Sequence, residues 1–325
     1  MTRKFINELK VGDQVNEVFI VKSKRNCLTK NQKPYLDLDL VDRSGHLNAK
    51  VWDRAEELST LFQRGDIIRV RGRVEEFKGA RQFKITDLRP GYGDEVKMED
   101  LLRRSSRDPD LLAADLEQAA KELKDEKLSA LISAFFSDAE FMASFKQSAA
   151  ARNLHHSYQG GLIEHTLNLV KAARFVCDEL YAGEVDRDLV IAGAILHDIG
   201  KVRELDSKLE VGYTTEGYLL GHLALGSSLL REKAAQVPDF PAELLMALDH
   251  IILSHHGEKE WGSPVTPMTP EAMIVHLLDN LDAKTRIILS AIHDDQNPEE
   301  EFTSYHRTLM RHFYKGGRDK PEGEG

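Results

Sequence analysis

Apolar and polar residues alternate along several short segments of the first 90 residues. In "PYLDLDLVD" every second side chain from Leu36 to Leu40 is apolar, and the turn "RSG" leads into "HLNAKVW". This period of two predicts a β-hairpin with one buried face. The segments "GDIIRVRGRVEEF" and "RQFKITDLRP" predict a second hairpin for the same reason.

One strand precedes these hairpins, and a short helix separates them. The segment "NEVFIVKSKRNCL" is rich in β-branched and aromatic residues, whereas "DRAEELSTLF" is typical of a helix. Three strands, a helix and two strands follow one another in an OB-fold barrel. We therefore predict an N-terminal OB-fold β-barrel, with a small barrel of another topology as the alternative.

From about residue 97 the apolar period becomes that of helices. The segment "DPDLLAADLEQAAKEL" has Asp108 as its predicted N-cap before Pro109. The apolar faces within 97–148 suit packing either on the following helices or on another subunit. Further helices are predicted near 162–181, 188–199, 216–235, 241–256 and 270–291.

The whole pattern predicts a two-domain α+β protein, with the barrel followed by an all-α helical bundle. The expected division is 1–92 for the OB-fold nucleic-acid-binding domain, 93–150 for linking and associated helices, 151–314 for the main bundle and 315–325 for a disordered tail.

Charge is distributed unevenly between these parts. Residues 1–90 carry 19 Lys/Arg and 13 Asp/Glu, whereas residues 91–325 carry 25 Lys/Arg and 41 Asp/Glu. The basic barrel predicts a polyanionic partner, and an acidic bundle is compatible with metal binding.

Without a run of 18 uncharged apolar residues, no membrane span is expected. The two cysteines favour a reducing cytoplasm over a disulfide framework.

Several predicted helices carry a histidine or aspartate on the same helical stripe as apolar residues. Since apolar stripes pack inward, these polar side chains are expected to point toward the bundle interior as possible metal ligands. Asp279 lies on one such face, and the doublet His197–Asp198 ends another helix. The remaining stripes join His165 to Leu169 and Val176, His222 to Leu219 and Leu225, and His255 to Leu248 and Ile252.

Asp198 follows the apolar run "AIL" and His197, so its carboxylate is expected to be buried. An unpaired buried carboxylate is costly, and its cation is either Lys201 or a metal ion. A single histidine on an apolar stripe is more often a hydrogen-bonded core residue, but convergence of five helices favours a metal site. Imidazole and carboxylate without thiolate suit Mn, Fe, Co, Ni or Zn and argue against a structural zinc site.

The same residues carry a family resemblance. His165 in "GGLIEHT", His197–Asp198 in "LHDIGK" and Asp279 in "DNLDAK" resemble the H…HD…D motif of HD-superfamily phosphohydrolases. The histidines of "LLGH" and "ILSHHG" resemble those added in dinuclear members of that superfamily. With the predicted OB-fold, nearly the whole chain is similar to the YhaM-type 3′→5′ exoribonuclease family.

The resemblance implies two divalent transition-metal ions, Mn²⁺ foremost, with Co²⁺, Fe²⁺, Ni²⁺ or Zn²⁺ as alternatives. One ion would be held by His165, His197, Asp198 and Asp279, and the other by Asp198, His222, His255 and His256. Adjacent helical residues point about 100° apart. His256 is therefore either a ligand or a residue behind the ligands.

The expected reaction is attack of a hydroxide, activated by both metals, on the terminal phosphodiester, which releases nucleoside 5′-monophosphates. Asp198, Lys201 and Asp282 are the predicted catalytic residues. Lys201 either contacts a phosphate oxygen or places a charge at a helix C-terminus. Asp282 either orients a ligand histidine or pairs with Arg286.

Nucleic-acid contacts are predicted mainly on the barrel. Tyr35 and Trp52, flanked by lysines, are the preferred stacking residues, whereas most other barrel aromatics (Phe19, Phe77 and Phe83 among the candidates) are expected in the core. Candidate phosphate contacts are Lys22, Lys24, Arg25, Arg69, Arg71 and Arg73 on the strands, and Arg152, His155 and His156 before the helix of His165.

Three functions remain in view from the sequence. The first is a 3′→5′ exoribonuclease on single-stranded RNA, and also on single-stranded DNA if the sugar is not discriminated. The second is an HD phosphohydrolase of small nucleotides, with the barrel in regulation or assembly. The third is a non-catalytic nucleic-acid-binding protein with a structural metal. A homo-oligomer is compatible with all three.

Overall fold

A computed structural model describes residues 3–102, 105, 107–151, 158–206, 211–293, 295 and 300–316. The chain forms two compact units, residues 1–104 with 207–210, and residues 105–206 with 211–325. The first unit contains the barrel and the second the helical bundle. The two-domain α+β prediction is confirmed.

The first unit is a closed five-stranded barrel with the order β1-β2-β3-β5-β4. Its neighbouring strands are antiparallel except for the parallel pair β3 and β5. The predicted three strands, helix and two strands are therefore confirmed. The elements are β1 Gln14–Leu28, β2 Pro34–Asp42, β3 Gly45–Val51, α1 Ala55–Ser59, β4 Ile67–Phe77 and β5 Ala80–Pro90.

Strand β4 shows how alternate residues face the barrel core and how a glycine permits a bulge. Ile68, Val70 and Val74 are buried in the barrel core, and Arg69, Arg71 and Arg73 between them point outward. Gly72 lies where the register with β5 shifts, and a side chain there would overlap the backbone of Lys84. The glycine therefore permits the close strand approach that the irregularity requires.

The second unit begins with three helices that complete the bundle core. Asp108 accepts a hydrogen bond from the backbone N–H of Asp110, which confirms the predicted N-cap before Pro109. Leu116 and Phe135 belong to the same buried apolar cluster as the later helices. These faces therefore pack on the bundle. After α2 Met98–Leu101, the helices are α3 Pro109–Lys121, α4 Glu126–Phe136 and α5 Ala139–Gln147.

The main bundle follows the predicted helices closely. In it, α11 packs against α6 and α7, and α10 packs against α7 and α9. The elements are α6 Gly161–Phe175, α7 Arg187–Leu196, α8 Lys201–Glu204, α9 Thr215–Ala234, α10 Ala242–Ser254 and α11 Pro270–His293.

Three local features differ from the simple helical pattern. A π-helical turn, Val176–Leu180, ends the first predicted bundle helix. A two-stranded ribbon, β6 Leu205–Asp206 and β7 Gly212–Tyr213, interrupts the helices. Gly221 has φ 70° inside α9, so the stripe through His222 does not extend back to Leu219, which is 77% exposed.

The predicted tail begins in folded structure. Lys315 is buried, and its ammonium lies 2.7 Å from Asp295 Oδ1. The tail assigned to 315–325 therefore starts too early, whereas residues 317–325 lie outside the described part.

Within the described ranges, no single helix is long and apolar enough to cross a membrane. The bent pair α4 and α5 meets the criterion by length and composition only. Its large apolar side chains, including Phe135 and Phe145, are buried in the core.

Candidate metal centre

Five helical elements bring the predicted ligands together. His165 lies in α6 and Asp279 lies in the middle of α11. His197 and Asp198 follow the end of α7, and His255 and His256 follow the end of α10. His222 comes directly after the break at Gly221 in α9. Because α7 and α10 end inside the bundle, their last residues direct side chains inward, and His197, Asp198 and His255 are nearly inaccessible to solvent.

His165, His197 and Asp279 form the first group of ligand atoms. The Nε2 atoms of His165 and His197 are 3.2 Å apart. The same Nε2 of His165 lies 3.2 Å from Asp279 Oδ1. These three side chains thus converge on one point.

His222, His255 and His256 form the second group, with ligand atoms all within 4.8 Å of one another. The Nε2 atoms of His222 and His256 are 3.1 Å apart. His256 therefore points toward the same position as His222, although the two residues come from different helices.

Asp198 lies between the two groups and presents one oxygen to each. Its Oδ2 is 3.2 Å from His197 Nε2. Its Oδ1 is 3.5 Å from His255 Nε2 and 3.7 Å from His222 Nε2. Among the described atoms, none donates a hydrogen bond to this buried Oδ1. A buried carboxylate oxygen without a donor is costly, which fits a cation at this position.

Each histidine of the centre uses its other ring nitrogen to contact an oxygen acceptor. Carbonyl and carboxylate oxygens cannot donate, so each Nδ1 carries the hydrogen and each neutral ring has its lone pair on Nε2. The acceptors are Asp282 Oδ2 for His165 (2.7 Å), Ala194 O for His197 (2.9 Å), Glu204 Oε1 for His222 (3.0 Å), Ile252 O for His255 (2.8 Å) and Trp261 O for His256 (3.1 Å).

When both rings of a pair are neutral, this arrangement directs their Nε2 lone pairs toward each other. Two such ligands at right angles on one ion, each about 2.1 Å from it, would be about 3.0 Å apart. The observed separations of 3.2 Å and 3.1 Å are close to that value. The donor set and its spacing therefore fit divalent transition-metal ions in both groups.

Burial and neighbouring charges maintain the ligand forms of two histidines. Burial lowers the pKa of His197. Burial, together with His255 and His222, lowers the pKa of His256 to about 3. Both rings are therefore neutral near pH 7, as metal coordination requires.

His165 behaves differently because two carboxylates adjoin it. Burial acts to lower its pKa, but the hydrogen bonds with Asp279 and Asp282 raise it to about 9. A proton on His165 Nε2 thus occupies the position at which a cation would bind. Metal binding at this group is expected to release that proton.

Lys201 is buried, and its Nζ donates to Asp198 Oδ2 at 2.6 Å. Burial acts to raise the pKa of Asp198, but Lys201 and His197 hold it well below its usual range. The carboxylate is therefore ionised. Lys201 begins α8, three residues beyond Asp198. Its predicted contact with a phosphate oxygen stays a prediction.

Asp282 contacts His165 Nδ1, in agreement with the predicted orienting alternative. Asn168 Nδ2 donates to the other oxygen of Asp282 at 3.2 Å, which fixes the carboxylate. Arg286 lies 3.5 Å from Glu164 Oε1. Asp282 thus acts on the centre through His165.

Glu204 was not identified from the sequence. Its Oε1 accepts hydrogen bonds from both the backbone N–H and Nδ1 of His222, at 3.1 Å and 3.0 Å. Glycines permit this proximity, because a side chain at Gly200 would overlap the carbonyl of His222 and one at Gly217 would overlap that of Glu204. The one available signal was a carboxylate one turn after Lys201 in "GKVRELD".

Tyr35 and Trp52 form a stacked pair on the barrel, with ring centroids 4.7 Å apart. The ammonium of Lys50 lies 5.5 Å from the Tyr35 ring centroid. Both rings are half-buried. Their predicted contact with bases stays a prediction. Phe19 and Phe83 are core residues, whereas Phe77 is exposed.

The predicted arginines of β4 lie far from this pair along β1, whereas Arg25 is opposite Asp37 on the strand that carries Tyr35. Arg69, Arg71 and Arg73 share the outer face of β4, as their period-two spacing indicates. Arg69 is opposite Val18 on β1, whereas Tyr35 is opposite Cys27. Nine residues of strand correspond to about 30 Å.

Three of the predicted basic residues, Arg69, Lys24 and Arg25, have partners within the barrel unit. Arg69 Nε donates to Glu95 at 2.8 Å. Lys24 Nζ donates to the carbonyls of Ser59 and Phe62 at 2.6 Å and 2.7 Å, so its ammonium holds the end of α1. Lys22 is half-buried and Arg25 pairs with Asp37. The predicted contacts Arg152, His155 and His156 lie outside the described residues.

Two family profiles match the chain. The HD domain profile matches residues 162–284, and an OB-fold nucleic acid binding domain profile matches residues 20–90. Among solved structures, the second OB-fold domain of replication protein A from Methanococcus maripaludis is 18% identical, covers 27% of this chain and 92% of its own, and has a TM-score of 0.23.

Curated relatives match nearly the full length. The "3'-5' exoribonuclease YhaM" of Bacillus velezensis and that of Bacillus subtilis are each 36% identical over 306 residues, covering 94% of this chain and 96% of the relative. That of Shouchella clausii is 34% identical over 314 residues, covering 96% of both chains. This chain therefore belongs to the YhaM 3′–5′ exoribonuclease family.

Proposed function

We propose that the protein is a divalent-metal-dependent 3′→5′ exoribonuclease that shortens single-stranded RNA and releases nucleoside 5′-monophosphates. The observation that carries this proposal is the Asp198 carboxylate, which has one oxygen toward each histidine group and a buried Oδ1 without a donor among the described atoms. Direction and substrate come from the activity named for the relatives.

The residues assigned to two ions follow from the grouping of ligand atoms. The first group and Asp198 Oδ2 would hold one ion, and the second group and Asp198 Oδ1 would hold the other. When bound, such ions lower the pKa of a coordinated water and neutralise charge that develops on the transferred phosphoryl group. Nitrogen and oxygen ligands without thiolate are compatible with Mn²⁺, which we propose as the working metal.

The protein's own groups orient the ligands and balance charge. Asp282 and Glu204 accept from His165 and His222 respectively, which holds each ring in the tautomer with Nε2 toward the centre. Lys201 is the one ammonium in contact with Asp198 among the described residues. We assign it to a non-bridging phosphate oxygen of the bound substrate, where it would offset the added negative charge.

The barrel supplies the reason for a polymeric substrate. Residues 1–90 have an excess of basic residues, whereas the remainder of the chain is acidic. Stacking on Tyr35 or Trp52 is independent of base identity, which suits a strand that moves during successive cleavages. Cys27 and Cys177 are free, in keeping with the predicted cytoplasmic location.

The test uses full-length protein, Mn²⁺ and a 5′-labelled single-stranded RNA. Progressive shortening of the labelled strand with release of nucleoside 5′-monophosphates supports the proposal. A matched reaction with free nucleotides tests the alternative phosphohydrolase. Hydrolysis of nucleotides with an intact RNA strand would overturn the exoribonuclease assignment. A DNA strand of the same sequence measures sugar selectivity.

A further inference from the structure

Residues 301–315, here called the C-terminal hairpin, form two antiparallel extended segments outside both matched family profiles. Bridges join Phe302 to Tyr314 and His306 to Arg311. The backbone N–H of Lys315 donates to Glu301 O at 2.9 Å, and that of Thr303 donates to Phe313 O at 2.8 Å. The hairpin is therefore an ordered element.

One face of the C-terminal hairpin is buried and anchored to Asp295, which follows α11. Thr303, Phe313 and Lys315 are buried. Lys315 Nζ and the backbone N–H of Ser304 contact the two oxygens of Asp295, at 2.7 Å and 2.8 Å. Burial alternates with exposure from His312 to Gly316, as in a strand with one covered face.

The opposite face carries a row of aromatic rings. Phe302 and Tyr314 have ring centroids 5.4 Å apart, and Tyr305 and His312 have centroids 5.3 Å apart. Phe302, Tyr305 and Tyr314 are 52%, 54% and 61% exposed. Large exposed apolar surfaces of this kind mark binding sites more often than isolated apolar residues do.

The charge around these rings favours an anionic occupant. Residues 301–315 contain three Lys/Arg and one acidic residue, Glu301, although residues 91–325 contain 25 Lys/Arg and 41 Asp/Glu. Arg307 and Arg311 are exposed. Aromatic rings interleaved with exposed arginines are the combination that binds single-stranded nucleic acid, because rings stack on bases and cations contact phosphates.

A cavity beside the ring row is large enough for a planar base. It has a volume of 590 Å³ and is lined by Phe302, His312, Thr303, Ser304 and Glu300. His312 Nδ1 donates to Thr303 O at 2.8 Å, which leaves Nε2 as the remaining polar atom of that ring. Glu300 disfavours a phosphate inside the cavity and favours a neutral base with amino groups.

We propose that the exposed face of the C-terminal hairpin is a second binding site for single-stranded nucleic acid, in addition to the barrel. Bases stack on Tyr305 and Tyr314, and Arg307 and Arg311 contact the backbone phosphates. This inference rests on the proposed function for the identity of the substrate. It assigns a role to a segment that neither domain profile covers.

The binding test uses the full-length protein with metal removed by a chelator, so that the strand stays intact. The probe is a fluorescein-labelled uridine 20-mer, compared with an abasic strand of equal length. Tyr305→Ala with Tyr314→Ala is expected to weaken binding of the uridine strand about tenfold or more and to leave the abasic strand nearly unaffected.

Two matched variants control for folding of the hairpin. Tyr305→Phe with Tyr314→Phe keeps both rings and should bind within about twofold of the unaltered protein. Met310→Ala removes an apolar side chain that is 74% exposed but lies outside the ring row, and should also leave affinity unchanged. In the unaltered protein, a strand with 5-bromouridine should cross-link to Tyr305 or Tyr314.

The other possible results separate the hairpin site from the proposed function. Equal affinity of the alanine and phenylalanine pairs, or cross-links confined to the barrel, would overturn the hairpin site. A changed sedimentation coefficient with unchanged RNA affinity would show an interface between copies instead. RNA hydrolysis with Mn²⁺ but no effect of the alanine pair contradicts only the hairpin site. Hairpin-dependent binding without RNA hydrolysis contradicts only the proposed function.

Discussion

Replacement of Glu204 by glutamine tests whether the two histidine groups bind separate metal ions. Glu204 is almost fully buried, and its Oε1 accepts two hydrogen bonds from His222, at 3.1 Å and 3.0 Å. Glutamine has the same shape and can accept both bonds through its amide oxygen. The substitution therefore removes the charge of the acceptor and leaves the packing nearly unchanged.

The magnitude follows from those two bonds. A hydrogen bond with an ionised partner is roughly twice as strong as a neutral one, so each bond loses about 0.5–1.5 kcal/mol. Two bonds correspond to about 1–3 kcal/mol, or about 5- to 150-fold in affinity. Substitution of residues that orient metal ligands typically costs about 10- to 100-fold, which is the same range.

The assay is calorimetric titration of the metal-free protein with Mn²⁺. Glu204→Gln is expected to weaken one binding step about 10- to 100-fold and to change the other by less than about threefold. Asp282→Asn is the matched control, because Asp282 contacts His165 in the other group at 2.7 Å. Its effect should fall on the other step. Equal weakening of both steps by Glu204→Gln, or no weakening, would refute two separable sites.

Further predictions concern backbone packing and a surface pair. Gly200→Ala places a methyl group against the carbonyl of His222, so it should lower the free energy of unfolding by about 1–3 kcal/mol in urea titrations. Unchanged stability would contradict the close approach of α8 and α9. Arg89, with the backbone of Tyr92, lowers the pKa of Glu95 from 4.5 to about 2. This stabilisation is present above about pH 4.5 and is lost as pH falls through 2. Arg89→Gln should therefore lower the thermal midpoint modestly at pH 6 and not at pH 2, and an equal shift at both would contradict the ion pair.

Several of the candidate ligand residues were predictable because they lie on or at the end of helices with an apolar stripe. Burial of that stripe fixes where the polar residue points, and His165, His255 and Asp279 were placed correctly on this basis. The doublet His197–Asp198 was predictable because a carboxylate after an apolar run requires a cation. Most residues of the candidate metal centre could therefore be identified from the local apolar pattern of the sequence.

The contribution of Glu204 was not predictable from periodicity. It depends on the distance between α8 and α9, which two glycines and the break at Gly221 determine. The apolar pattern within one helix does not indicate how closely the backbones of two helices approach each other. The same limit applies to the barrel. Tyr35 and Arg69 were both predicted to contact nucleic acid, but they lie opposite distant parts of β1.

The C-terminal hairpin was missed for a different reason. Its segments have few residues in regular strand pairing, and its exposed aromatic residues do not alternate as a buried strand does. The anchor at Lys315 and Asp295 is a long-range ion pair, which sequence spacing does not indicate.

The central claim is that Asp198 is shared by two metal ions, and the metal content of the Asp198→Asn variant tests it most directly. Asparagine keeps the shape but removes the charge that both groups share. After dialysis against Mn²⁺, elemental analysis should find two ions per unaltered chain and fewer than one per variant chain. RNA degradation should fall by about a thousandfold or more. Retention of two ions with nearly unchanged RNA degradation would contradict the account.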